Sequence, residues 1–250
     1  MVIRSEQFEA FGAAAAAARR ESLMRHARSF SPLLTSPLDD ITLAGVVDKC
    51  TSRAEGYGIH DHGFVRLYLE LMLSLGADFD TDPQLPWAGK TLRSPSARNQ
   101  VERVDELYAN LTSYLSEVNG PGRVHSREAL RRLSMILSQP ENLRRAAGRG
   151  IAPMLSIIYP QKYLYAGEPT MQGVVQSAEG AAIQRSLPRP EGTAIIALLM
   201  FGLGHGVLTD EMYAWAGSAL SAVPGKTDER VERLRNQAAA FFDRILEQST

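Results

Sequence analysis

Leu71-Met72-Leu73-Ser74-Leu75-Gly76-Ala77-Asp78-Phe79-Asp80-Thr81-Asp82, with Trp87-Ala88-Gly89 a few residues on, returns 128 positions later. The second copy runs Leu199-Met200-Phe201-Gly202-Leu203-Gly204-His205-Gly206-Val207-Leu208-Thr209-Asp210, with Trp215-Ala216-Gly217 behind it. Both read as an apolar helix stopped by glycine, a turn, and a new helix opened by Thr-Asp. Each tryptophan falls one turn inside that new helix. The small Ala-Gly pair beside it lets another helix approach closely.

Extending the comparison outward adds Gly45-Val46-Val47 against Gly173-Val174-Val175, Ala54 against Ala182, and Leu92 against Leu220. Positions 45–92 carry 14 ungapped identities at this offset, where composition alone gives roughly one match in fifteen positions. The excess points to an internal duplication. A further shift of two residues aligns Val101-Glu102-Arg103 with Val231-Glu232-Arg233. The chain is therefore expected to be all-α, with two tandem copies of a multi-helix unit packed with pseudo-twofold symmetry. Asn119-Gly120-Pro121-Gly122 is the strongest breaker cluster and divides residues 1–120 from residues 121–250. The two units can also close into one compact domain.

Helical periodicity fills most of the remainder. Phe64, Leu67, Leu71 and Leu75 share one face, as do Val101, Val104, Leu107, Leu111 and Val118. Further helices are expected near 5–28, 39–56, 127–138, 141–157, 170–185, 193–203, 210–221 and 228–247. Only 157–165, with Ile157, Ile158, Tyr159, Tyr163 and Tyr165, competes for strand. The apolar run 194–203 is about half of what crosses a bilayer, so it reads as a buried helix.

With 250 residues, 44% hydrophobic content and a net charge of −1, the chain has enough material for a core and no global field for nucleic acid or an anionic membrane. The lone Cys50 excludes an intrachain disulfide, favours a reducing compartment such as the cytoplasm, and reads as buried filler.

The candidate chemistry is thin. His60-Asp61-His62 has metal-ligand types, but neighbours two apart on a helix do not share a face, and Pro188 and Pro190 replace the histidines in the second unit. Asp78-Phe79-Asp80-Thr81-Asp82 opens like a calcium loop, yet Pro83 and Gly89 stand where an EF-hand needs glycine and glutamate. Asp78 and Asp80 face Gly206 and Leu208 in the second copy, so any acidic function there belongs to unit one. Asp82, Trp87, Asp210 and Trp215 read as structural members of the repeat. His205, in Gly202-Leu203-Gly204-His205-Gly206, is a candidate base without a named partner. Tyr159, Tyr163 and Tyr165 join Asp78 and Asp80 as candidate partner-binding residues, since aromatics concentrate at interface hot spots. No nucleophile elbow or zinc-protease motif occurs, and no cofactor is implied.

Phe64-Val65-Arg66-Leu67-Tyr68-Leu69-Glu70-Leu71-Met72, followed by Leu75-Gly76, Phe79-Asp80, Asp82-Pro83 and Pro86-Trp87-Ala88, resembles a pattern in uncharacterised proteobacterial helical proteins associated with type VI secretion effector genes. The resemblance implies a cytoplasmic protein that binds a cognate secreted effector, as an immunity protein, adaptor or chaperone. It carries no catalytic residues. The competing expectation is an enzyme, or a protein binding a small ligand or metal, with its site between the units near His60, Asp78, Asp80, Asp82 or His205. A homodimeric scaffold is a third.

Overall fold

The computed structural model describes residues 5–97, 99–221 and 227–248, with side chains from Phe11 onward. The outermost residues of both expected units lie outside that description. The chain is all-helical, and no strand occurs among the described residues. In chain order the helices are α1 (Ser5–Phe30), α2 (Pro32–Thr35), α3 (Asp40–Gly56), α4 (His62–Leu75), α5 (Pro86–Leu92), α6 (Gln100–Asn119), α7 (Val124–Ser138), α8 (Pro140–Arg149), α9 (Ile151–Ile158), α10 (Pro160–Ala166), α11 (Glu168–Gln184), α12 (Glu191–Leu203), α13 (Ala214–Leu220) and α14 (Thr227–Gln248).

Local chemistry accounts for most boundaries. Asp39, Asp61 and Asn99 cap α3, α4 and α6 by accepting from the backbone N–H of Thr42, Gly63 and Glu102. Proline opens α2, α5, α8 and α10, where its missing N–H costs nothing. The single helix expected over 141–157 is two, because Gly150 adopts φ 122° and lets the chain turn. The stretch 157–165 is not a strand. It holds the end of α9 and most of α10, with Tyr159 as the non-helical joint. Asp210 opens a short 3-10 turn, Glu211–Tyr213, before α13. The expected opening of a helix by Thr81-Asp82 does not occur: α5 starts at Pro86 behind Leu85, where proline fixes the first turn, and Trp87 is its second residue.

One continuous buried apolar cluster runs from Leu23 to Phe242 and takes in both halves of the chain. Helix α12 lies inside it, with Ala194, Ile195, Ile196, Ala197, Leu198, Leu199 and Phe201 fully buried. It packs against α7, α8, α9, α11 and α14. Helix α4 packs against α1 and α3. No helix among the described residues is long and apolar enough to cross a membrane. Cys50 is buried, and burial pushes its thiol up to about 12, which keeps it protonated and unreactive.

The Val-Glu-Arg match is not the register that packing follows. Val101 is 50% exposed, whereas Val231 is 3% exposed. Trp87 rests on Tyr114, with centroids 5.9 Å apart, and Trp215 rests on Phe241 at 5.4 Å. Those anchors are 127 positions apart. At that spacing the buried Val104, Leu107 and Tyr114 of α6 fall on the buried Val231, Leu234 and Phe241 of α14. The pattern of burial beside each tryptophan, not the three identical letters, is what the two helices share.

Helices α4 and α12 end against each other. Gly76 (φ 102°, ψ 152°) and Gly204 (φ 106°, ψ 152°) occupy a region essentially reserved for glycine. A Cβ on Gly76 would sit 2.8 Å from the Leu203 carbonyl oxygen, and one on Gly204 would sit 3.0 Å from that of Leu75. Gly76→Ala and Gly204→Ala are therefore each expected to cost more than about 2 kcal/mol in urea unfolding. Gly180→Ala, inside α11 where a Cβ meets open space, is expected to be neutral or stabilising by up to about 1 kcal/mol. Equal effects at all three positions would show that the glycine contact does not constrain the fold.

Candidate functional site

The two glycine ends carry a turn each, and each turn presents an aspartate to the other. Asp82 Oδ1 accepts from the Gln84 N–H at 2.8 Å, and its Oδ2 accepts from the His205 N–H at 2.9 Å. Asp210 Oδ1 accepts from the Met212 N–H at 3.0 Å, and its Oδ2 accepts from the Ala77 N–H at 3.0 Å. Both carboxylates thus cap their own turn and cross the seam, and both side chains are buried. Gln84 Nε2 donates to the Met200 carbonyl at 2.9 Å and reaches Asp82 Oδ2 at 3.3 Å. Lys162 Nζ donates to the Phe201 carbonyl and lies 5.3 Å from the centre of that phenylalanine ring. Two carbonyls of the last turn of α12, those of Met200 and Phe201, thereby gain side-chain donors.

The two aspartates differ electrostatically although their hydrogen bonds match. Burial pushes Asp82 up, but the His205 imidazole, the Lys162 charge and the two N–H donors outweigh it and hold its carboxyl below the usual range. Asp210 has the two N–H donors with no base in contact, so burial prevails and its pKa is raised. His205 Nδ1 lies 3.4 Å from Asp82 Oδ2, an ion-pair contact longer than a good hydrogen bond. Asp82 raises the histidine pKa against the opposing effect of burial. Burial lowers Lys162 to about 8, with Asp82 acting the other way.

A second polar cluster abuts the first. Arg53 donates to Asp78 and to both oxygens of Asp80, and the Tyr68 hydroxyl donates to Asp80 at 2.8 Å. Lys49 Nζ stands 3.4 Å from Asp78. Asp80 is 1% exposed, so it offers no surface to a partner. Asp78 is also committed to bases on its own unit.

The other expected site residues are dispersed. Tyr159 is buried and donates to the Asn119 side chain at 3.0 Å. Tyr163 is buried and donates to Glu168. Tyr165 packs edge-on against Tyr114 at 5.0 Å. The tyrosines therefore tie α9 and α10 to their neighbours and do not form an exposed patch. The outward side chains there are Ile157 and Leu164, at 69% and 78% exposure. His60 meets α6 and α1 through its backbone, which donates to Gln100 and accepts from Arg19. His62 Nε2 lies 3.3 Å from Ser22 Oγ. Asp61 caps α4 through the Gly63 N–H. Among the described residues no three His, Cys, Asp or Glu side chains are placed to share a metal ion, so the His60–His62 alternative lacks a third ligand.

The depression over the seam, lined by Asp78, Asp82, His205 and Asp210 among others, is too shallow to enclose even a water molecule. Ligand pockets typically span roughly 300–1,000 Å³. Sequence reasoning missed Arg53, Gln84 and Lys162, whose roles arise from partners far away in the chain and leave no local signature. No protein-family model, curated protein or solved structure matches this chain.

Asp82→Ala strands the His205 and Gln84 N–H groups and leaves Lys162 without its counter-charge. It is expected to cost on the order of 3 kcal/mol in urea unfolding; Asp82→Asn, which keeps one acceptor oxygen, is expected to cost less. Asp82 is depressed below its ordinary 3.8, so its contribution is present above pH 4 and lost as pH falls through the folded value. His205 is raised above its ordinary 6.5, so its contribution is full below that pH and lost as pH rises through the folded value. The stability difference between the wild type and His205→Gln is expected to shrink above pH 6.5; a difference flat from pH 5 to pH 9 would show that the pair is not coupled to folding.

Proposed function

We propose that this protein is a cytoplasmic protein-binding module that holds a cognate protein, of the kind an immunity protein, adaptor or chaperone holds as its secreted effector. We also propose that its body is two equivalent helical units related by a pseudo-twofold axis between Gly76 and Gly204. The observation that carries the functional reading is the inward commitment of the polar groups at the seam. Asp82 and Asp210 accept from backbone N–H groups, and Asp78 and Asp80 are engaged by Arg53. Carboxylates so occupied are poorly placed to act on a substrate, and the space above them is small. The outer helical surface, by contrast, leaves Val101, Tyr108, Met135, Ile157 and Leu164 at least half exposed. The symmetry reading rests on the reciprocal pairs, Asp82 with His205 and Asp210 with Ala77, which exchange under the 128-residue offset.

One observation favours a catalytic or ligand-binding role instead. His205 is 34% exposed at its side chain, beside the buried Asp82 carboxylate. Native purification from the source cell, followed by mass spectrometry of what stays bound, separates the readings. A single stoichiometric partner, retained by His205→Ala, is the expected result. A chain that purifies alone as a monomer would overturn the module reading, and one that purifies alone as a dimer would replace it with a homodimeric scaffold.

A further inference from the structure

Helix α6 carries a second stripe, on the side away from its buried one. Val101, Asp105, Tyr108, Thr112 and Leu115 follow each other at alternating steps of four and three, which places them along one line of the helix surface. All five are exposed, with Val101 at 50%, Tyr108 at 60% and Leu115 at 36%. Apolar side chains spaced by a heptad on an outer helix face are the pattern of a seam without its partner.

The same chain shows how such a face is filled. In the register set by the tryptophan anchors, Tyr108, Thr112 and Leu115 correspond to Arg235, Ala239 and Phe242 of α14, which are buried, whereas Val101 and Asp105 correspond to Asp228 and Glu232, which are exposed. Helix α7 covers the three buried residues. Arg235 Nη1 donates to the Leu137 carbonyl at 2.7 Å, Ser134 donates to Asp243, and a Cβ placed on Gly202 would touch both Phe242 and Leu133. Helix α6 packs chiefly against α5, α7 and α10, and its Tyr108, Thr112 and Leu115 side chains remain exposed among the described residues. Tyr114 and Tyr165 hold α10 on the side of the buried stripe.

We infer that the Tyr108–Thr112–Leu115 face of α6, flanked by Val101 and Asp105, docks an amphipathic, net-basic helix of the partner protein, seated as α7 is seated on Arg235, Ala239 and Phe242 of α14. The inference rests on the binding-module reading and on the equivalence of α6 with α14. The occupant's charge follows from α6 itself. Asp105, Glu106 and Glu117 are exposed on it without an ion-pair partner among the described residues. Its one base, Arg103, is turned inward to the Leu92 carbonyl. Helix α7 has this complementary character, with Arg127, Arg131 and Arg132 against Glu128.

A labelled synthetic peptide with the α7 sequence, titrated into the full-length protein and followed by fluorescence anisotropy, tests the face directly. The expected result is saturable one-to-one binding that weakens with salt. Tyr108→Glu and Leu115→Glu should each weaken it at least tenfold, and Asp105→Lys at least threefold. Ile183→Glu, on the exposed surface of α11, should leave it unchanged. All four positions are exposed, and unchanged urea midpoints would show that the variants fold. No saturable binding, or binding indifferent to the three α6 changes, overturns the inference. So does a doubled solution mass abolished by Leu115→Glu, which would make a second copy the occupant. A partner that co-purifies equally with wild type and Tyr108→Glu sinks the α6 face and leaves the module reading intact. Peptide binding at α6 without any partner from the source cell supports the face and sinks the module reading.

Discussion

Helices α4 and α12 end on each other at Gly76 and Gly204, and the rest of the structure is arranged around that meeting. The C-terminal end of a helix carries partial negative charge and unpaired carbonyls. Bringing two such ends together inside a core is unfavourable unless donors are supplied and the backbones can approach. Glycine solves the approach, since no other residue tolerates the φ values at both ends. Donors come from Gln84 and Lys162 at the end of α12, and the N–H groups just beyond each glycine are taken by Asp210 and Asp82. The exchange of aspartates across the seam ties each helix end to the turn that follows the other.

That arrangement also decides what the polar residues can do. Asp82 brings negative charge toward the end of α12, where the helix dipole disfavours it, and His205 and Lys162 compensate. Asp210 lacks such company, and its raised pKa records the cost. A carboxylate that serves as a cap and a crosslink gains rigidity and loses its availability to a reactant. The Arg53–Asp78–Asp80–Tyr68 cluster works similarly, holding α3, α4 and the loop after α4 in one fixed geometry. The attraction within such a buried pair is offset by the cost of taking its charges out of water, while removal of one partner leaves the other stranded.

Helices α6 and α14 show how the same local pattern acquires different surroundings. Each presents one stripe to a tryptophan-bearing short helix. On α14 the side chains of Arg235, Ala239 and Phe242 are buried, with α7 packed alongside, and on α6 Tyr108, Thr112 and Leu115 face outward. A helix packed on one side is stable enough when the rest of the core is large. The exposed tyrosine, valine and leucine are thus compatible with a folded chain, and their heptad spacing suits the proposed helical partner.

The all-helical class, most helix boundaries, the glycine stops and the structural role of the repeat's aspartates were legible in the sequence, because each rests on local physics. Capping oxygens act within three residues, proline and glycine restrict their own φ, and an apolar period is complete within two turns. The 128-residue match of Asp82 with Asp210 and of Trp87 with Trp215 was equally visible as a pattern. Which atoms those aspartates reach was not, since the bond from His205 to Asp82 spans most of the chain and depends on two helix ends converging. For the same reason the tyrosines at 159 and 163, which look like a surface patch in one dimension, are buried. The identical Val-Glu-Arg letters suggested one register and the packing under tryptophan chose another, because burial free energy is counted over contacts that only the tertiary structure brings together.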